Sequence, residues 1–124
     1  MPRSIRALPG VAPSSLPFSK AVEANGFVFL AGQIGDANGQ VVEGGIAAET
    51  RATLDNVGAL LRAVGLDYGD VVRCTVYIVD FDDFAAMNAV YREYFPTEPP
   101  ARATVEVRRL ALGARIEIEV TAAR

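Results

Sequence analysis

Two strictly alternating stretches near the C-terminus constrain what this chain can fold into. After Pro99-Pro100, the apolar or small residues Ala101, Ala103, Val105 and Val107 alternate with Arg102, Thr104, Glu106 and Arg108. From Ala114 onward, Ile116, Ile118 and Val120 alternate with Glu117, Glu119 and Thr121. A period of two is the signature of a strand with one face in a core and the other polar. The short connection at residues 109–113 predicts that the two strands are hairpin partners. In that pairing Arg102 and Thr104 share a face with Glu117 and Glu119, with the register open by about two residues. A guanidinium, a hydroxyl and two carboxylates would then converge on one polar strip.

The rest of the chain supplies a sheet and its cover. A short strand is expected at residues 4–7, followed by a Pro-, Gly- and Ser-rich loop over residues 9–17. Asn25-Gly26 between two apolar runs is a hairpin signal, joining residues 18–24 to 27–31. Gly32 to Gly35 marks a bulge or a close backbone approach, and Asp36-Ala37-Asn38-Gly39 forms a further turn before a brief strand at Val41 and Val42. Apolar or small residues recur at Ile46, Thr50, Thr53, Leu54, Val57, Leu60, Leu61 and Val64, which predicts an amphipathic helix stopped by Gly65. The β-branched run at residues 70–79 reads as a central strand. A second helix is expected from about Asp80, which caps it, with Phe84, Met87, Tyr91, Tyr94 and Phe95 on one face and Pro96 at its end. The predicted architecture is α+β, one sheet carrying both helices on a single face. The isoleucine face of the last strand takes the helices. The opposite face is left for a subunit interface, with any pocket there built by more than one chain.

Composition narrows the chemistry. At 124 residues, 51% of them hydrophobic, the chain fits one compact domain spanning residues 1–124. A net charge of −3 with both signs interspersed leaves no footprint for nucleic acid or a membrane surface. The chain has no histidine, so the usual general base, the usual zinc ligand and every Ser-His or Cys-His pair are absent. Acid-base work falls to carboxylates, lysine, tyrosine or held water. One cysteine, Cys74, makes no internal disulfide, and neither a signal peptide nor a long apolar span is seen; a cytoplasmic location is expected.

Several blocks together resemble the Rid family (RidA, YjgF-like, L-PSP). They are Ala31-Gly32-Gln33-Ile34, then Thr50-Arg51 with Leu54-Asp55-Asn56-Val57, then residues 70–77, then Asp83-Phe84-Ala85-Ala86-Met87-Asn88 with Tyr91. Pro100-Ala101-Arg102-Ala103-Thr104-Val105-Glu106-Val107 and Ile116-Glu117-Ile118-Glu119 complete the set. The resemblance implies a chorismate-mutase-like fold, a trimer whose sheets face a central barrel, and active sites between neighbouring subunits. It implies hydrolysis of reactive 2-imino acids, such as 2-iminopropanoate or 2-iminobutanoate, to 2-keto acids and ammonia with no metal or organic cofactor. Carried over residue by residue, Arg102 grips the substrate carboxylate and Glu117 positions the attacking water. Gly32 lines the pocket with its backbone, and Thr104 stands where many relatives have cysteine. Phe18 replaces a frequent tyrosine, keeping the ring without its phenolic donor, and Lys20 replaces a frequent glutamine.

Plainer readings stand beside these. Arg102 facing a strand glutamate is, on the residues alone, a cross-strand ion pair. Glu119 is read as structural, and Cys74 as an inert buried thiol. Asp80, Asp82 and Asp83 are read as helix-start carboxylates rather than metal ligands, and Asn88 as an amide bonded to backbone near the sheet rather than to substrate. Gly44 and Gly45 lack phosphate-loop spacing. Rival functions are a non-catalytic module holding a small carboxylate, a deaminase of a larger pathway-specific enamine, and, least favoured, an endoribonuclease.

Overall fold

The computed structural model describes residues 11–124, so the strand expected at residues 4–7 lies outside the described residues. A five-stranded sheet runs in the order β1 (Ala21–Ala24), β2 (Phe27–Ile34), β7 (Ile116–Ala123), β5 (Val71–Ile78), β6 (Ala101–Glu106). β3 (Asp36–Ala37) and β4 (Gln40–Val41) form a separate small hairpin. Helices α1 (Gly45–Ala63) and α2 (Phe84–Tyr94) pack together over one face of the large sheet. The expected mixed sheet with both helices on one side is therefore present.

Local chemistry accounts for most boundaries. Asn25 and Gly26 adopt φ of 51° and 80°, the pair of positive values that a two-residue primed turn requires, and β1 pairs with β2 in register on either side of it. The pairing of β2 with β7 slips between Leu30 and Gln33, so Ala31 and Gly32 form the bulge expected there. Asp80 caps a short 3-10 turn at Phe81–Asp83, its Oδ1 accepting from the Asp82 backbone N–H at 2.9 Å, and α2 follows directly. The expectation that Asp80 caps the helix itself is thus corrected: α2 starts at Phe84 with Asp83 before it making no side-chain cap, because the 3-10 turn takes up the Asp80 carboxylate. Gly65 (φ 81°) follows α1, as expected.

Two expectations about the sheet are corrected. Residues 71–78 form an interior strand, yet the central position belongs to β7, whose Ile116, Ile118, Val120 and Ala122 are at most 1% exposed. More consequentially, β6 and β7 are not hairpin partners. β6 lies at the sheet edge and pairs in parallel with β5, while β7 pairs antiparallel with both β5 and β2. The physical reason is the β5–α2–β6 crossover. A strand that re-enters after a helix returns in the same direction as the strand before it. The connection after β6 then carries the chain back past β5 to the centre.

The core is the buried layer between sheet and helices, with Leu54, Val57 and Leu61 of α1 and Met87 of α2 against Val28, Cys74, Val76, Ile78, Ile116 and Ile118. Each such side chain contributes roughly 1.5–3 kcal/mol on burial. Among the described residues one charged side chain is buried here. The carboxylate of Glu49, 2% exposed, accepts from the Arg115 backbone N–H at 2.8 Å and its Nη1 at 2.9 Å, tying α1 to the residue just before β7. Among the described residues no helix is long and apolar enough to cross a membrane.

Candidate active site

Arg102 and Thr104 stand in register with Cys74 and Val76 on β5, which are in turn in register with Val120 and Ile118 on β7. Residues directly opposite in a sheet share a face, so Arg102 and Thr104 belong to the helix-covered side. Glu117 and Glu119 pair with Tyr77 and Thr75, and through them align with Val105 and Ala103 on the uncovered side. The single polar strip is thus overturned: within one chain the arginine and the glutamates lie on opposite faces with β5 between them. Alternation in each strand was legible, but the face shared across strands depends on register, which the parallel pairing sets.

Glu117, on the uncovered face, borders a cleft of about 590 Å³ lined by Phe18, Lys20, Gly32, Ile34 and Ala111 and by Leu60 of α1, among others. Its position is fixed from both sides in the chain. The Glu49–Arg115 pair holds the start of β7 two residues earlier, and the β2 bulge brings Gly32 under the carboxylate. A side-chain carbon at Gly32 would lie 2.9 Å from the Glu117 Cδ and overlap its Oε2. Gly32 is needed here for space, since its backbone lies outside the positive-φ region. Asn56 of α1 secures the far end of the same strand, its Nδ2 donating to the Ile34 carbonyl at 2.9 Å and the Asp36 carbonyl at 3.1 Å. Half-burial, and then the neighbouring Glu119, hold the Glu117 carboxyl above the ordinary range. A carboxylate so raised is a better proton acceptor than a free one. Glu119 itself accepts from the Tyr77 hydroxyl at 3.2 Å, in keeping with a structural role.

On the covered side, Arg102 borders a second cleft of about 270 Å³ with Asn88, Tyr91, Phe95 and Pro100. Its guanidinium carbon lies 4.7 Å from the Tyr91 ring centroid and 5.7 Å from that of Phe84, and Nη1 is 4.0 Å from the Met87 sulfur. No ion pair to Arg102 occurs among the described residues, so the cross-strand pair with a glutamate does not form. Thr104 is half-buried two residues further along the same face. Asn88 departs from expectation, because its Oδ1 is buried without a hydrogen-bond partner among the described residues. Phe18 is exposed at the rim of the Glu117 cleft.

The aromatic cradle of Arg102 escaped sequence reading, although its signal was present. Phe84, Met87 and Tyr91 follow the 3.6-residue period of one helix face, which is indistinguishable from ordinary core until the facing residue is known. Cys74 is fully buried, and burial pushes its thiol up, as expected of an inert cysteine. No group of three or more His, Cys, Asp or Glu side chains is placed to hold a metal ion among the described residues.

Comparison with known proteins gives a consistent picture. The profile of the family described as Endoribonuclease L-PSP matches residues 10–124. A RutC family protein of Pyrococcus horikoshii is 47% identical over 108 residues, covering 86% of each chain. The human protein named 2-iminobutanoate/2-iminopropanoate deaminase is 42% identical over 114 residues, covering 90% of this chain and 83% of its own. Among solved structures, the YjgF gene product of E. coli superposes with a TM-score of 0.84 at 38% identity, covering 94% of this chain and 93% of that one.

Proposed function

Because this chain belongs to the L-PSP (Rid) family, we propose that it hydrolyses reactive 2-imino acids, or their enamine tautomers, to 2-keto acids and ammonia. The observation that carries the reading is the pair of half-sites: a raised carboxylate seated on Gly32, and a guanidinium without a carboxylate partner among the described residues. A relative 42% identical bears the name of this activity.

The chemistry follows from those groups. Arg102 receives the substrate carboxylate on its planar fork of N–H donors. The imine carbon beside that carboxylate is already electrophilic, so orientation and a poised water matter more than a strong nucleophile. Glu117 takes a proton as water oxygen bonds to that carbon. Returned to the nitrogen, that proton gives the neutral tetrahedral carbinolamine; Glu117 then takes the hydroxyl proton and delivers it to the amino nitrogen as the C–N bond breaks, so ammonia leaves and the carbonyl forms. General acid-base assistance of this kind is worth ~10²- to 10⁴-fold. The backbone at Gly32 and the side chains of Thr104 and Phe18 shape the pocket around the reacting group, and no step calls for a metal or organic cofactor.

This reading also requires assembly, since Arg102 and Glu117 of one chain face opposite ways. We take the active unit to be a cytoplasmic homotrimer in which the uncovered sheet faces form a central barrel, with Glu117 of one subunit meeting Arg102 of its neighbour. The uncovered face carries the apolar patches such an interface needs, with Phe27, Phe29 and Val105 each more than 40% exposed.

The test is to generate 2-iminopropanoate in place with a separate amino-acid-oxidising enzyme and follow its loss. Acceleration by the protein, abolished in Arg102→Ala, is expected. No acceleration, or equal acceleration by the variant, removes the proposal. Saturable 2-keto acid binding without turnover of any imine would instead mark a binding module. RNA cleavage, named in the family's description, serves as the control activity. A net charge of −3 and the lack of histidine offer it little support.

A further inference from the structure

We propose that Tyr91 is a positioning residue for Arg102, its ring face fixing the plane of the guanidinium so that the N–H donors stay free for a planar carboxylate. The inference rests on the clamp role given to Arg102 above.

An arginine on an edge strand is usually steadied by a carboxylate, which occupies its donors and offsets its charge. Here the steadying groups are two rings and a thioether. Tyr91 is the nearer ring at 4.7 Å, and Phe84 stands at 5.7 Å. Among the described residues the guanidinium makes no hydrogen bond to a carboxylate; its geometric contact is the weak one to sulfur, with the Tyr91 hydroxyl also near it. Attraction to a ring face uses the cation's charge and leaves its in-plane N–H groups untouched.

Tyr91 is suited to the task because it is itself buried and packed. It is 6% exposed, its ring lies 4.8 Å from that of Phe95, and its hydroxyl is buried beside the Cys74 thiol without a hydrogen-bond partner among the described residues. Burial first, then the neighbouring thiol, raises the phenol far above its ordinary range. The ring therefore stays neutral wherever the protein is folded, never forming a phenolate that would pair with Arg102 and compete with substrate. Cys74 is in register with Arg102 on the adjacent strand, so strand pairing and helix packing place thiol, phenol and guanidinium together.

The role predicts a split in kinetics. A clamp acts on the carboxylate in ground and transition states alike, so loosening it raises KM with little change in kcat. Loss of the ring is expected to weaken binding by about 5- to 30-fold. The experiment measures pyruvate and 2-oxobutanoate binding by calorimetry, together with KM and kcat, in the assembled protein. The variants are Tyr91→Met, Tyr91→Phe, Phe84→Leu and Arg102→Ala, with melting temperatures recorded throughout. Tyr91→Met is expected to weaken binding, Tyr91→Phe to restore it by restoring the ring, and Phe84→Leu to show a smaller effect. Unchanged binding in Tyr91→Met overturns the proposal even if its melting temperature falls. If Tyr91→Met does not fold, Phe84→Leu decides, with unchanged binding again overturning it. Arg102→Ala separates the two levels. If it binds keto acid normally the clamp itself is wrong, and if it alone loses binding only the positioning role fails.

Discussion

Replacing Gly32 by alanine should separate the role proposed for the Glu117 carboxylate from the fold that carries it. The added methyl would overlap the Glu117 Oε2 and sit 2.9 Å from Cδ and 3.2 Å from Cγ, and no backbone atom is among these nearest neighbours. The carboxylate end must therefore swing away, at roughly 0.5–1.5 kcal/mol if it leaves its rotamer well. Against this, alanine in a strand is favoured over glycine by roughly 0.5–1 kcal/mol, because less backbone entropy is lost on folding. The two nearly cancel, so the melting temperature should stay within about 5 °C of the parent. Activity should not. A general base displaced by about an ångström forfeits on the order of 10²-fold in rate. Gly35→Ala provides the contrast, because its methyl would meet the Glu49 backbone carbonyl at 2.6 Å, where nothing flexible can yield. That variant should lose stability first. The measurements are initial rates of 2-iminopropanoate loss and thermal melts on both variants. A Gly32→Ala protein with kcat/KM within about threefold of the parent would show that the carboxylate need not lie where the bulge holds it, and would refute the reasoning.

Two further outcomes are expected. Glu117 must be ionised to accept a proton from water, so its raised pKa places the acid limb of the rate profile above that of an ordinary glutamate, about 4.3. Glu119→Gln should move that limb to lower pH, and an unmoved limb would show that Glu119 has no hold on it. The sign for stability is consistent with this. A carboxyl that binds its proton more tightly when folded contributes most below its unfolded pKa, and that contribution is lost as pH rises through the folded value. Cys74, fully buried and with its thiol pushed up, should resist thiol reagents in the native protein and react one-to-one in denaturant. Rapid native labelling would show that the sheet opens at β5.

What the chain alone determines here is whatever neighbours in sequence decide. Asn25-Gly26 sets its turn, Gly32 marks its bulge, Asp80 caps the 3-10 turn that leads into α2, and the alternation of Ile116 to Val120 commits that strand's isoleucine face to the core. Each depends on residues within a turn or two, so each was legible. The blocks that resemble a known family were legible as well, and the family-model match over residues 10–124 bears that resemblance out. Tertiary structure decided which strands are neighbours. Period two is the same for a hairpin partner as for a parallel edge strand, and it orders the two sides of one strand without relating them to another's. The β5–α2–β6 crossover settled that relation, placing Arg102 beneath a helix on the rings of Tyr91 and Phe84, and Glu117 on the open face over Gly32. The pairing of β6 with β5 rather than β7 therefore divides Arg102 and Glu117 between the two sides of the sheet.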